Sequence, residues 1–382
     1  MCPSEKTSES EPLLTPAAYV RTLVLAALLG LPVAFAAVLL ETVIEHLARL
    51  IWDDLPDAAG WGSPPWWFVL LVTGLAGVLV AGAVRLPGHG GHRPIDGLSM
   101  APIRPIELTS ILPAAIATLA FGIVLGPEAP LIALGLGMGV IAARLVGLAG
   151  TQAQLLGFAG AFAAVAALFG GPLLAAFLLF EAVAASGAIP SKNLGRALFP
   201  GFVAAGTGAL VFIGVDGWPG LEQTSFTLPS LPDYPTVRIV DILWSLPVAA
   251  VIAAVILAVQ RGARAVDDRR AGGPVVKLIG AGLLVGALAV AFRAATERPV
   301  GLVLFSGEQS LPQLLTEGSA GVLAVLVLAK GAAYSLSLGA GFRGGPVFPA
   351  LALGVAGGSL AAGILPVLDL TPAIAGGVAA AA

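Results

Sequence analysis

The run FGIVLGPEAPLIALGLGMGVIAA (121–143) holds a carboxylate, Glu128, with about twenty apolar residues before it and about fifteen after it. If these flanks span a bilayer, Glu128 lies near mid-membrane, where an ionisable group is expensive and is by default functional. Gly126, Pro127 and Pro130 forbid an uninterrupted helix through this point. One helix is therefore expected to stop near Leu125 and another to begin at about Pro127. The new helix starts with backbone N–H groups that lack intrahelical partners. Those groups and the positive end of the helix dipole suit a negative charge. The occupant is either the Glu128 carboxylate itself or a dissolved anion.

The pattern returns later in the chain. FRGGPVFPALALGVAGG (342–358) aligns with the first run at an offset of 219 residues (345 − 126). Gly126, Pro127, Pro130, Ala133, Leu134, Gly135 and Gly139 meet Gly345, Pro346, Pro349, Ala352, Leu353, Gly354 and Gly358, seven identities in fourteen columns. Ala, Gly and Leu are common here, so the paired prolines carry the argument. Two broken helices at corresponding places in two halves point to a transporter of inverted repeats around a midplane site. Val347 stands where the second glutamate would be, so only the first half supplies a titratable group.

Composition agrees. With 58% hydrophobic and 11% charged residues among 382, the chain is a polytopic, all-α membrane protein. Its 50 glycines and 29 prolines suit close helix contacts and breaks. Cys2 is the sole cysteine, so no intrachain disulfide framework exists. Residues 1–16 are polar and acidic and read as a disordered cytoplasmic tail, not a cleavable leader.

From there the membrane domain is read as 17–382, with a first repeat over about 17–214 and a second over about 238–382. Residues 17–50 are expected to form a long apolar helix, strongly tilted or interfacial at one end, and 51–65 a loop with Asp53, Asp54 and Asp57 but no Lys or Arg. Trp61, Trp66 and Trp67 mark the water interface before 66–84 crosses back. Arg85, His89, His92, Arg93 and Arg104 gather at the next turn, which the positive-inside rule places in the cytoplasm. Helices follow at 106–124 and 127–146, then two within 151–187 parted at Gly170-Gly171-Pro172, then one at 193–214. The loop 215–236 has acidic residues and no basic one, and reads as extracellular. Helix 238–260 runs into the basic RGARAVDDRR (261–270), followed by helices at 274–295 and 320–338, joined by a loop at 296–318. At the end, LTPAIAGGVAAAA (370–382) resembles GFAGAFAAV (157–165), with Ala375-Gly376 matching Ala159-Gly160. Read as a repeat, the second unit lacks its last helices, so a shortened and weakly active chain is expected.

LGPEAPLIALG resembles the broken-helix motif of the CLC chloride channels and proton-coupled chloride exchangers, usually G-[KR]-E-G-P. FRGGPVFPALALG is similar to that family's G-x-F-x-P, and GLVLFSGEQSLPQLL (301–315) and FGGPLLAAFLLFE fit its order and spacing. The resemblance runs from about residue 17 to 382. It implies a homodimer in the cell membrane with an anion pathway in each subunit, gated by Glu128. The backbone around Gly126, Pro127, Ala129, Gly91, Pro346, Val347 and Phe348 would then hold the anion. Three departures stand out. Pro127 replaces the motif's basic residue and Ala129 its second glycine. Counting back from Pro94, Gly91 falls where the family's anion-touching serine would be. The exchangers' proton-entry glutamate falls at Ala182, beside Glu181, which leaves Glu181 as the candidate for a proton path. The family's pore tyrosine belongs to a last helix absent from this chain.

Other classes fare worse. No G-x-S-x-G or H-E-x-x-H occurs, and the three histidines, His46, His89 and His92, lie near segment ends, so an intramembrane protease is not expected. His89, His92 and Asp96 have a spacing that a metal could use; a basic, glycine-rich turn explains them more simply. Arg343 either raises the anion potential at the pore or snorkels to the surface. No cofactor, metal or nucleic-acid partner is expected. A non-transporting homologue or membrane scaffold is the alternative to a small-anion transporter, most plausibly of chloride, with protons as a second ion.

Overall fold

The computed structural model describes residues 14–186, 194–214, 238–269, 273–365 and 367–381, with 218, 231, 232, 234 and 236. Among these the chain is helical, without strands. A helix α1 (Pro16–Arg49) passes through a π-turn (Leu50–Asp54) into α2 (Leu55–Ala58), and α3 covers Trp66–Ala83. Then come α4 (Leu108–Leu119), α5 (Glu128–Leu145), α6 (Gly150–Phe169), α7 (Pro172–Ser186) and α8 (Leu194–Gly214). The later half holds α9 (Ile239–Asp268), α10 (Gly273–Thr296), α11 (Leu311–Thr316), α12 (Ala320–Ala340), α13 (Val347–Ile364) and α14 (Leu370–Ala381). Nine of the described helical stretches are long and apolar enough to cross a membrane.

Contacts divide the chain into two compact units. One comprises Met1–Ala37, Ser99–Pro105 and Leu134–Asp216; the other comprises Val38–Leu98, Ile106–Ala133 and Gly217–Ala382. In the first, α6 packs on α7 and α8. In the second, α3 packs on α10, α9 on α12 and α14, and α13 on α14. In both units, glycines let backbones touch. A Cβ on Gly135 would lie 2.3 Å from the Gly160 carbonyl oxygen, and one on Gly354 would lie 2.6 Å from that of Gly377. Association without a hydrophobic driving force depends on such close approach.

These contacts correct the alignment of the chain's end. Gly139 abuts Leu156 and Gly157, while Gly358 abuts Ala373 and Ile374. The equivalent of Gly160 is thus Gly377, not Gly376.

Several expected boundaries also move. Segment 51–65 is not all loop, because the helical course continues to Ala58. Helix α9 extends through Arg261 and Arg264 to Asp268, eight residues past the expected end. The helix before the first break stops at Leu119 rather than Leu125. Gly122, at φ +83°, takes a left-handed turn that ends it early. Residues 1–13 of the expected tail, and most of 215–236, lie outside the described residues.

Candidate functional site

The site lies wholly within the second compact unit, where the two broken-helix motifs meet. Gly126 donates its N–H to the Gly345 carbonyl at 2.8 Å, and Gly345 donates back to Gly126 at 2.6 Å. This is an isolated antiparallel bridge between equivalent residues of the two repeats. The equivalence continues around it. The Arg343 N–H reaches Thr118 Oγ1 at 3.1 Å, and the Val124 N–H reaches Ser337 Oγ at 3.3 Å. Thr118 and Ser337 are 219 residues apart, as are Val124 and Arg343. Each hydroxyl also bonds the carbonyl four residues back in its helix, Ala114 and Ala333 respectively. Gly122 and Gly341, again 219 apart, both take left-handed φ, +83° and +94°. Residues that bond their own counterparts reciprocally lie on a pseudo-twofold axis, so the repeats are inverted about Gly126 and Gly345.

Two helices begin beside this axis. Prolines at 127 and 130 and at 346 and 349 carry no N–H. In the first turn of α5 the N–H groups of Glu128 and Ala129 therefore have no acceptor within the helix, and in that of α13 those of Val347 and Phe348 have none. The Glu128 side chain crosses from α5 to α13. Its Oε1 accepts from the Val347 N–H at 2.5 Å and the Phe348 N–H at 3.3 Å. Its Oε2 has no partner, although Glu128 is fully buried. The carboxylate rests on the repeat that lacks a glutamate of its own. Space for it exists because both bridge residues are glycine. A Cβ on Gly126 would lie 2.1 Å from Glu128 Oε2, and one on Gly345 would lie 2.0 Å from Cδ.

The structure thus brings together Gly126, Glu128, Gly345, Val347 and Phe348, with Pro127, Ala129 and Pro346 framing the helix starts. Two of the expected anion-binding residues have their amides engaged elsewhere. Gly126 contributes no free amide, because its N–H is spent on Gly345. The Gly91 N–H is likewise spent, on the Gly88 carbonyl, and a Cβ there would strike Ile111 at 2.8 Å. Glu181 lies on α7, and its side chain falls outside the described residues. Arg343 does not snorkel. Its guanidinium donates to the carbonyls of His89 at 2.9 Å and His92 at 3.3 Å, tying the glycine-rich loop to the start of α13. Burial and the neighbouring Arg93 lower its pKa to about 10, so it keeps its charge at neutral pH. Asp96, which shares the loop with both histidines, faces Arg93 at 3.9 Å.

Three features escaped the sequence reading. Lys330, fully buried on α12, donates to the carbonyls of Leu302, Val303, Leu304 and Phe305 at 3.1 to 3.3 Å. Tyr334, one turn on, donates to the Pro346 carbonyl at 2.5 Å. A cavity of ≈ 590 Å³ opens beside the break, with Leu125 and Pro127 on its wall and Glu41, Glu45, Asp53 and Glu308 among its lining residues. The Thr118–Ser337 correspondence was legible, since it keeps the 219-residue offset. The cavity was not, because its acids come from segments far apart in sequence.

A fold of inverted, broken helices meeting at a buried carboxylate defines a class of multi-pass membrane transport protein. Residues 88–382 match the family model described as voltage gated chloride channel. The YfeO protein of Escherichia fergusonii is 32% identical over 350 residues, covering 88% of this chain and 78% of that protein. The YfeO protein of Salmonella newport is 31% identical over 354 residues, covering 88% and 80%. Among solved structures, a slow cyanobacterial Cl⁻/H⁺ antiporter superposes with a TM-score of 0.73 at 17% identity, covering 91% of this chain and 80% of that one. A CLC-type fluoride/proton antiporter gives a TM-score of 0.66 at 20% identity, covering 96% and 87%. The chain belongs to the CLC family of voltage-gated chloride channels, an ion-transport family, and is a multi-pass protein of the cell membrane.

Proposed function

We propose that this protein moves small anions, chloride foremost, and that Glu128 is the gate. The observation that carries this reading is the seat of the Glu128 carboxylate on the Val347 and Phe348 amides. A dehydrated anion needs such donors at a helix start, and while the ionised carboxylate holds them the anion is excluded. Protonation removes the charge that keeps Glu128 there, and the amides become available. The Ala129 amide, on the facing helix start, is the further donor. The YfeO relatives carry an ion-transport name, and two neighbours in fold are antiporters of chloride and of fluoride.

In this reading the acidic loops face outward and the basic loops inward, and the protein works as a homodimer with one pathway per subunit. Purified protein in liposomes loaded with chloride, fluoride or nitrate tests the function. Chloride efflux well above that of empty liposomes is expected. Absence of efflux for all three anions would favour a non-transporting homologue.

A further inference from the structure

We propose that Glu41 and Glu308 share a proton at the wall of the acidic cavity and form a loading site that exchanges protons with Glu128. The relay rests on the reading of Glu128 as a gate; the paired site does not. Glu41, on α1, and Glu308, in the loop before α11, line the same cavity. Glu41 is only 6% exposed, and its Oε1 has no hydrogen-bond partner; Glu308 Oε1 is also buried and unpartnered.

Glu45, Arg49 and Asp53 also line this space from the helical course that carries Glu41, and Arg49 is its single basic residue. From α12, the Lys330 ammonium lies beside Gly307, but it donates to the carbonyls of residues 302–305 and not to Glu308. Glu128 stands behind the wall formed by Leu125 and Pro127, with Oε2 free of partners.

Two buried carboxylates that lack a hydrogen-bonded cation are costly as anions, and a proton held between them removes one charge. Glu308 lies outside the spanning helices, and burial, with Glu45 and Glu128 nearby, pushes its carboxyl up to about 8. It therefore takes up and gives off protons near neutral pH. In the relay, a protonated Glu308 passes its proton to the Glu128 carboxylate and is reprotonated from the cavity, so charge and atoms balance at each step.

The test uses the full chain in liposomes and two readouts. Infrared difference spectra across about pH 6 to about pH 9 should show a carboxylic C=O band that titrates near the Glu308 value and disappears in both Glu308→Gln and Glu41→Gln. In parallel, the response of chloride flux to a pH jump on the cavity side should slow about tenfold in Glu308→Gln, with flux at low pH retained and the response restored by Glu308→Asp. A band that survives both glutamine variants, or a wild-type response in both, would overturn the site. If the band behaves as expected but Glu128→Gln keeps the wild-type pH profile, the gate reading fails and the relay with it, while the shared proton stands.

Discussion

At Glu128 a single side chain joins two repeats. One oxygen takes both amides at the start of α13, and the other is buried without a partner. The two glycines of the bridge make room for it, and that requirement is one of space rather than backbone conformation. Gly345→Ala puts a methyl where the carboxylate lies. It should expel the Glu128 side chain and raise chloride flux at neutral and alkaline pH several-fold, approaching Glu128→Gln. Flux in Gly345→Ala that remains as low as wild type at alkaline pH would show that the seat is not what closes the pathway. Arg343 gives a contrasting case, because it stays charged at every pH below about 10. Arg343→Gln should therefore lower chloride flux at low anion concentration without moving the pH profile. A shifted midpoint would mean that Arg343 acts through Glu128 and not through its own charge.

The helices show where sequence reading succeeds and where it stops. Both breaks, the two-helix split at Gly170, and the starts of α3, α6, α8 and α12 were legible to within a residue or so, because prolines, glycines and apolar length fix them locally. The early end of α4 was less legible, because Pro127 is the stronger local break signal. Gly122, five residues upstream, is the actual stop signal, and its counterpart Gly341 caps α12 in the same left-handed conformation. Lys330 was invisible for a different reason. A lone lysine in an apolar helix does not announce which carbonyls it will meet, and those of 302–305 come from another segment. Phe305 there holds a φ of +60°, an uncommon conformation for a non-glycine residue, while its N–H bonds Gly122 and its carbonyl bonds Lys330. Lys330→Met would strip four carbonyls, three of them buried, of their donor at a cost of about 3 kcal/mol. Thermal unfolding in detergent should fall by several degrees, and an unchanged midpoint would show that this contact does not hold the segment.

Across the whole molecule, two inverted repeats meet with matching backbones but unlike side chains. Reciprocal bonds at Gly126–Gly345 and at the Thr118 and Ser337 hydroxyls place matching backbones on the two sides of an axis. Glu128 and Val347 then differ at equivalent places, so one repeat brings the charge and the other the seat. If Ala182 takes the place of an exchanger's inner glutamate, as the resemblance implies, a chloride gradient should drive little proton movement in liposomes. Strong chloride-driven proton uptake that is lost in Glu181→Gln would contradict this and make Glu181 the inner proton group. The most direct test of the gate compares chloride flux through wild-type protein and Glu128→Gln in liposomes between about pH 4 and about pH 8, a range that brackets a buried carboxyl. Wild-type flux is expected to rise as pH falls and Glu128→Gln flux to persist with a flat profile; a Glu128→Gln profile with the wild-type slope would contradict Glu128 as the gate.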